Sequence, residues 1–164
     1  MKPRLINLCV ILVLSGTIFV GSGCNNATIA NTRIADNDEN RAVYAVVMAY
    51  RRAVESRDVE ALLPLISRKY FENNATTNLN TDDYGYARLR EAVLPKLQEN
   101  VKAIQFRMIM GNIEVDGDSA WASFEYFYQF KFVEGGKEGW EQKNNFNRLE
   151  LAWESGSWRI VGGL

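Results

Sequence analysis

The stretch AYRRAVESRDVEALLPLIS, residues 49–67, joins the end of one predicted helix to the whole of a second. Through its first half and just upstream of it, apolar residues recur at helical spacing: Val43, Val46, Val47, Tyr50 and Val54. This spacing predicts an amphipathic helix with one buried face. Asp58 is placed to cap the second helix, and Pro64 lies too deep for a first turn, so it should end or kink that helix.

Polar residues mark the predicted starts of the first and third helices. Asp36, with Glu39 three places on, forms a capping box for the first helix, and Asn37 and Asp38 are rival caps. A loop follows the second helix, and the candidate caps of the third are Thr81, Asp82 and Asp83. The residues of the third helix that should face inward are Tyr86, Leu89, Val93 and Leu97.

From Val101 onward the apolar period changes to two, the period of a β-strand. The apolar face of the first long strand consists of Ile104, Phe106, Met108 and Met110. Gly111 then shifts the phase, which predicts a bulge or bend. The apolar face of the next strand consists of Ala122, Phe124, Tyr126, Tyr128, Phe130 and Phe132. With turns at 116–119, 134–139 and 154–157, helices followed by an antiparallel meander predict an α+β fold.

The first 23 residues have the features of a secretory signal peptide. Lys2 and Arg4 are the charged residues of this leader, a mostly apolar run covers residues 5–20, and small residues follow at 21–23. A permanent membrane span is the alternative interpretation. The apolar run falls short of the ~20 residues that a spanning helix needs, so we favour a cleaved signal.

Cys24 is the candidate lipidation site. Residues 22–24 resemble the end of a bacterial lipoprotein box, although Gly21 stands where such boxes usually have a large aliphatic residue. Cys9 would leave with the leader, so an intramolecular disulfide is excluded. The chain has no His that could activate a catalytic thiol. The resemblance implies two or three acyl chains, such as palmitate, on Cys24. By the same resemblance, Asn25 favours the periplasmic face of an outer membrane in a Gram-negative cell.

The rest of the chain has the size of one domain. We expect a flexible tether at 24–38 and the domain at 39–164. After loss of the leader, 17 basic residues face 20 acidic ones, which argues against a nucleic-acid partner. The absence of His and of any calcium-loop spacing leads us to expect no metal site and no cofactor.

Three helices followed by a long antiparallel sheet resemble the nuclear-transport-factor-2-like superfamily, also called the cystatin-like cone, which includes ketosteroid isomerase and polyketide cyclases. The resemblance rests on residues 49–67 and on the predicted hairpin "ESGSWRIV" at 154–161. It implies a curved sheet that packs around three N-terminal helices and leaves a cone-shaped apolar pocket. Members differ in function, so the fold alone does not fix one.

Within this superfamily, the first helix of ketosteroid isomerase is similar to residues 46–62. The comparison gives Tyr50 the role of oxyanion donor. The general base of the isomerase falls on Asn74, an amide, and Glu72 is the nearest carboxylate. The acidic oxyanion-hole residue falls among Asn145, Asn147 and Leu149. The enzyme alternative, an isomerase, cyclase or hydrolase, therefore rests on Tyr50 as donor and Glu72 as base.

The expected ligand pocket combines Tyr50 with the inward faces of two strands: Phe106, Met108, Phe124, Tyr126, Tyr128 and Phe130. Plain hydrophobic core is the competing interpretation of this aromatic face. Trp121 and Phe127 lie on the opposite, mostly polar face of their strand, which indicates a candidate homodimer surface.

The sequence thus supports one leading hypothesis and two alternatives. The leading hypothesis is a lipid-anchored cell-envelope protein whose domain binds a small apolar ligand or self-associates, without catalysis. The first alternative is the Tyr50–Glu72 enzyme. The second is a purely structural envelope protein, for which the interior should be filled.

Overall fold

The computed structural model describes residues 27–73, 83–99, 101–134 and 136–164 of the 164-residue chain. The predicted leader at 1–23, Cys24, Asn74, Thr81 and Asp82 lie outside these ranges. Helices come first and four long or medium strands follow, so the predicted α+β class is confirmed.

Helix α1 spans Asp38–Ser56 and buries the predicted stripe, with Val43 and Val47 fully enclosed. Its cap is Asn37, whose side-chain oxygen accepts a hydrogen bond from the Asn40 N–H at 2.8 Å. The preferred cap, Asp36, was therefore wrong by one residue. Asp36 pairs instead with Arg41, 2.5 Å away.

The second helix is short. Helix α2 spans Val59–Leu62, and the carboxylate of Asp58 accepts a hydrogen bond from the Ala61 N–H at 2.9 Å, which confirms the predicted cap. A single 3₁₀ turn, Leu63–Leu65, follows and contains Pro64. The proline thus ends the α-helix where the sequence indicated, because its ring is incompatible with a continuing helix.

The third helical region begins later than predicted. Strand β1 (Phe71–Glu72) pairs with strand β2 (Tyr84–Gly85), and Gly85 is the residue that precedes helix α3 (Tyr86–Arg88). A π-helical turn, Leu89–Val93, and helix α4 (Leu94–Glu99) complete the region. Of the three predicted helices only the first is long. Within the described ranges, none has the length and apolar character needed to cross a bilayer.

Four antiparallel strands form the main sheet in the order β3, β4, β5, β6. Their ranges are β3 Val101–Asp116, β4 Ser119–Glu134, β5 Lys137–Glu154 and β6 Ser157–Gly162. The register between β3 and β4 shifts between Met110 and Asn112, which confirms the bulge predicted at Gly111. Strand β5 already begins at Lys137, inside the turn predicted at 134–139, because it pairs with β4 along the whole length of β4.

The curved sheet packs its inward face against α1, which contacts β3, β4 and β6. Fully buried residues of the sheet include Ala122, Phe124, Leu149 and Ile160. The segment after α2 joins this layer, since Ile66 bridges to Ile160 of β6. Within β4, the alternation decides which side chains enter the core, since Ala120, Ala122 and Phe124 are buried and the residues between them are not.

Residues 27–37 form an ordered loop on the domain, where the sequence led us to expect part of a flexible tether. Thr28 bridges to Ala35, and the Asp36 N–H donates to the Ala27 carbonyl at 2.7 Å. Ile34 is 3% exposed and belongs to the core. Residues 27–37 therefore pack on the domain through backbone hydrogen bonds and through the Ile34 side chain, which lies in the core.

Candidate functional site

A cavity of about 700 Å³ lies between the helical layer and the inward face of β3, β4 and β5. Its wall is mainly aliphatic and aromatic. The residues that line it are Tyr50, Val54, Leu62, Ile66, Tyr84, Leu89, Val93, Leu94, Lys96, Leu97, Val101, Ile104, Phe106, Phe124, Tyr126, Tyr128, Phe130, Asn145, Phe146, Asn147 and Leu164. A cavity of this size is within the range of small-molecule sites.

Six of the seven residues of the expected pocket line this cavity: Tyr50, Phe106, Phe124, Tyr126, Tyr128 and Phe130. The seventh, Met108, packs instead against the buried core. Strand alternation explains the agreement, since β4 presents every second side chain to the interior. Strand β3 runs from the cavity toward the core, and Met108 lies two residues further along this strand than Phe106.

Aromatic stacking orders the sheet side of the cavity. The Tyr126 ring stacks on Tyr128 with centroids 5.7 Å apart and planes at 6°, and it also stacks on Phe106 at 6.0 Å. Phe130 follows Tyr128 at 5.3 Å. Burial raises the pKa of Tyr128 above its ordinary value, with a further contribution from the nearby carboxylate of Glu141.

The hydroxyl of Tyr50 is placed deep in the cavity wall. Burial raises the pKa of Tyr50 well above its ordinary value, and the proximity of Tyr126 adds to this effect. Among the residues that the structure describes, neither Tyr50 nor Tyr126 has a hydrogen-bond partner for its hydroxyl. Both residues are half-buried and line the cavity, so their hydroxyls are available to a polar group of a bound molecule.

Two amides and one cation supply the other polar groups of the wall. Asn145 and Asn147 come from β5, where they lie opposite Tyr126 and Phe124. The Asn147 side chain donates to the Gly163 carbonyl at 2.8 Å. Lys96 comes from α4. Among the described residues of the wall, no side chain carries a carboxylate or a thiol.

The structure places Glu72, the candidate base, outside this wall. The Glu72 carboxylate accepts hydrogen bonds from the Tyr70 hydroxyl at 2.8 Å and from the Gly163 N–H at 3.0 Å. The Tyr70 oxygen in turn accepts from the Leu164 N–H at 3.2 Å. Burial, together with the hydrogen bond to Glu72, raises the pKa of Tyr70. Glu72 therefore ties the β1 segment to the end of the sheet rather than joining Tyr50 at the cavity.

Sequence reasoning missed Tyr84 and Phe146 as cavity residues. Tyr84 belongs to the short strand β2, and burial raises its pKa, with Glu72 nearby as a second cause. Phe146 is 77% exposed and lies at the rim. Asn145 and Asn147 could have been assigned to the wall from the sequence, because the hairpin turn at 134–137 sets the register that pairs them with Tyr126 and Phe124.

The candidate homodimer surface lies on the other face of the sheet. Trp121 and Phe127 are half-buried there, and Arg107 of β3 stacks over the Phe127 ring at 5.6 Å. Ile109, paired with Glu125, is 57% exposed on the same face. No cluster of three or more potential metal ligands occurs among the described residues.

No protein-family model matches the chain, and no curated protein matches it. Solved structures do. A conserved protein from Planctomyces limnophilus has a TM-score of 0.63 at 13% identity, over 76% of this chain and 92% of its own. A nuclear transport factor 2-like superfamily protein from Salmonella enterica has a TM-score of 0.60 at 14% identity, over 75% and 86%. A protein with a proposed assignment as scytalone dehydratase, from Novosphingobium aromaticivorans, has a TM-score of 0.61 at 11% identity, over 76% and 80%.

These likenesses define the class of protein by its fold. The chain has the nuclear-transport-factor-2-like, or cystatin-like, fold that the sequence resemblance implied. At such low identities they define no reaction and no ligand for this chain.

Proposed function

We propose that this chain is a cell-envelope protein, anchored by lipid on Cys24, whose domain binds a small and mainly apolar molecule in the cavity without catalysing a reaction on it. In a Gram-negative cell the anchor would lie in the outer membrane and the domain would face the periplasm. The anchor rests on the sequence alone, from the signal-like leader and the small residues before Cys24.

The observation that carries the binding proposal is the cavity itself. A space of about 700 Å³, walled by aromatic and aliphatic side chains, gives up packing energy unless something fills it. This argues against the purely structural alternative, which required a filled interior. The free hydroxyls of Tyr50 and Tyr126 would orient a ligand that carries one or two oxygen atoms.

The polar groups of the wall favour binding over catalysis. General acid–base catalysis needs a group that exchanges protons near neutral pH within reach of the substrate. Burial raises the pKa of Tyr50, so its hydroxyl stays protonated and can donate a hydrogen bond but cannot act as the base. Glu72, the base of the enzyme alternative, already accepts two hydrogen bonds from Tyr70 and Gly163.

Two competing functions keep some support. The structural neighbours include proteins with proposed dehydratase and hydroxylase assignments, which suit an enzyme as well as a binding fold. Self-association would use the face with Trp121, Phe127 and the exposed Ile109. A molecule retained by the purified protein would distinguish ligand binding from these two alternatives, because neither an enzyme nor a self-associating protein is expected to retain one.

Native mass spectrometry of the protein, extracted from its own membrane, tests the proposal. We expect a chain that starts at Cys24, carries acyl chains and retains a small molecule that leaves on denaturation. In the variant Val93→Phe, a larger side chain enters the cavity wall. The ring would occupy space that the molecule needs, so its affinity should fall by about tenfold, which corresponds to about 1.4 kcal/mol.

The matched control is Val161→Phe, the same change at a half-buried position of β6 that does not line the cavity. It should retain the molecule as the natural protein does. An unmodified Cys24 would contradict the anchor, and a natural protein without any retained molecule would contradict the ligand. Equal loss in both variants would show that the cavity is not the binding site.

A further inference from the structure

A second concave site, separate in composition from the cavity, lies where the segment after α2 meets β6 and the third helical region. Its volume is about 460 Å³, and it is lined by Leu63, Pro64, Ile66, Ser67, Arg68, Tyr86, Arg90, Glu154 and Arg159. Of these described residues, only Ile66 also lines the cavity. We call this site the arginine groove.

Three guanidinium groups reach the arginine groove from three different elements. Arg68 follows the 3₁₀ turn, Arg90 belongs to the π-helical turn, and Arg159 belongs to β6. The Ser67 N–H donates to the Ile160 carbonyl at 2.9 Å, which fixes the chain before Arg68 beside the strand that carries Arg159. The Arg68 guanidinium stacks over the Tyr86 ring, 5.2 Å from its centroid.

The charges in the arginine groove do not balance. Glu154 is the one carboxylate among its described lining residues, and its oxygens accept hydrogen bonds from the Ser67 hydroxyl at 2.9 and 3.0 Å. Lys69 also pairs with Glu154 at 3.4 Å. Among the described residues, none of the three arginines has a carboxylate within ion-pair distance. Lys69 therefore offsets Glu154, and three positive charges remain.

We propose that the arginine groove binds the phosphate group of an organic phosphate. Planar guanidinium groups bind phosphate oxygens through paired hydrogen bonds, and Arg is the residue best suited to this geometry. A phosphate monoester carries ~1.5–2 negative charges at neutral pH, so it balances three cations better than a single carboxylate does. Leu63 and Pro64 form an apolar floor, against which the organic part of the molecule packs.

Titration calorimetry of the full chain in a non-ionic detergent tests this site, with inorganic phosphate and a short-chain phosphatidic acid as the two probes. Binding of both probes would identify the phosphate group itself as sufficient. Binding of phosphatidic acid alone would identify a lipid headgroup as the source. Either result supports the proposal, and the absence of binding by both probes overturns it.

Variants locate the binding. The combined substitution Arg68→Gln, Arg90→Gln and Arg159→Gln should weaken the bound probe by about tenfold or more, because each guanidinium contributes charge-assisted hydrogen bonds. The matched control removes the same charge at three exposed positions elsewhere, as Arg33→Gln, Arg52→Gln and Lys137→Gln. It should stay within about twofold of the natural chain, since none of these side chains lines the groove.

Unchanged affinity in the groove variant, or equal loss in the control, overturns the proposal. If thermal unfolding shows that the combined variant does not fold, the single change Arg90→Gln replaces it, because Arg90 is an exposed side chain. That variant should bind about threefold more weakly, as expected for one exposed ion pair. An unchanged affinity there would equally count against the site.

Discussion

Glu72 illustrates how the partners of one residue decide its role. In the sequence it is the carboxylate nearest to the position of a catalytic base. In the fold, its carboxylate accepts hydrogen bonds from Tyr70 and from the backbone of Gly163. Hydrogen bonds to a charged acceptor stabilise a fold by about 1.5–3 kcal/mol, and an unpaired buried partner costs a similar amount. Glu72 is thus a structural link between the β1 segment and the end of the chain.

The variant Tyr70→Phe tests this link. It removes the hydroxyl that donates to Glu72 and accepts from the Leu164 N–H, while it keeps the buried ring. We expect a loss of about 1–3 kcal/mol in the free energy of unfolding, measured by urea denaturation. Tyr44→Phe is the control, since the half-buried Tyr44 has no hydrogen bond among the described residues, and it should change little. Equal effects in both variants would refute the structural role of Glu72.

At the scale of elements, the sequence predicted the ends of a helix correctly where interactions within one turn determine them. Asp58 caps α2 and Pro64 ends it, because both effects act within one turn. The start of the third helix could not be predicted from such local interactions. Its start depends on β2, and β2 exists only because Tyr84 and Gly85 pair with residues earlier in the chain, Phe71 and Glu72.

The cap on α2 gives a second stability prediction. Asp58→Ala removes the acceptor for the Ala61 N–H, which is one of the unpaired donors of the first turn. The free energy of unfolding should fall by about 0.5–2 kcal/mol, as measured by thermal or urea denaturation. Glu60→Ala, at an exposed first-turn position of the same helix, should cost clearly less. A larger loss for Glu60→Ala would mean that charge, and not the cap, sets the stability of α2.

For the molecule as a whole, the alternation in β4 predicted this strand and the four side chains that it contributes to the cavity wall. Phe124, Tyr126 and Tyr128 face inward because a strand presents every second side chain to one side. The place of Tyr84 in the cavity wall and the existence of the arginine groove could not be predicted from strand alternation. They depend on contacts between segments far apart in sequence, such as the bond from Ser67 to Ile160, and no local period records such contacts.

Alkaline pH should destabilise the whole molecule. Burial raises the pKa of Tyr50 and Tyr70, so both keep their protons in the fold at a pH where the unfolded chain begins to release them. Their contribution to stability is complete below about pH 10, the ordinary tyrosine value, and is lost as the pH rises further. Each such tyrosine should lower the free energy of unfolding by about 1.4 kcal/mol per pH unit above that point.

Urea denaturation at several alkaline pH values measures this slope. Tyr50→Phe removes one of the linked protons, so the slope above about pH 10 should be shallower by about 1.4 kcal/mol per pH unit. Titration of lysines affects both proteins equally and cancels in the comparison. Identical slopes would show that Tyr50 titrates in the fold as it does in the unfolded chain.

The ordered loop at residues 27–37 limits the distance between the domain and the bilayer if Cys24 is acylated. Ala27 is held by the Asp36 N–H, and Ile34 is embedded in the core. Consecutive Cα atoms are ~3.8 Å apart, so the linker from position 24 to position 27 can span at most about 11 Å. The domain would then lie close against the lipid headgroups, with the loop at residues 27–37 as the part of the described chain nearest to the bilayer.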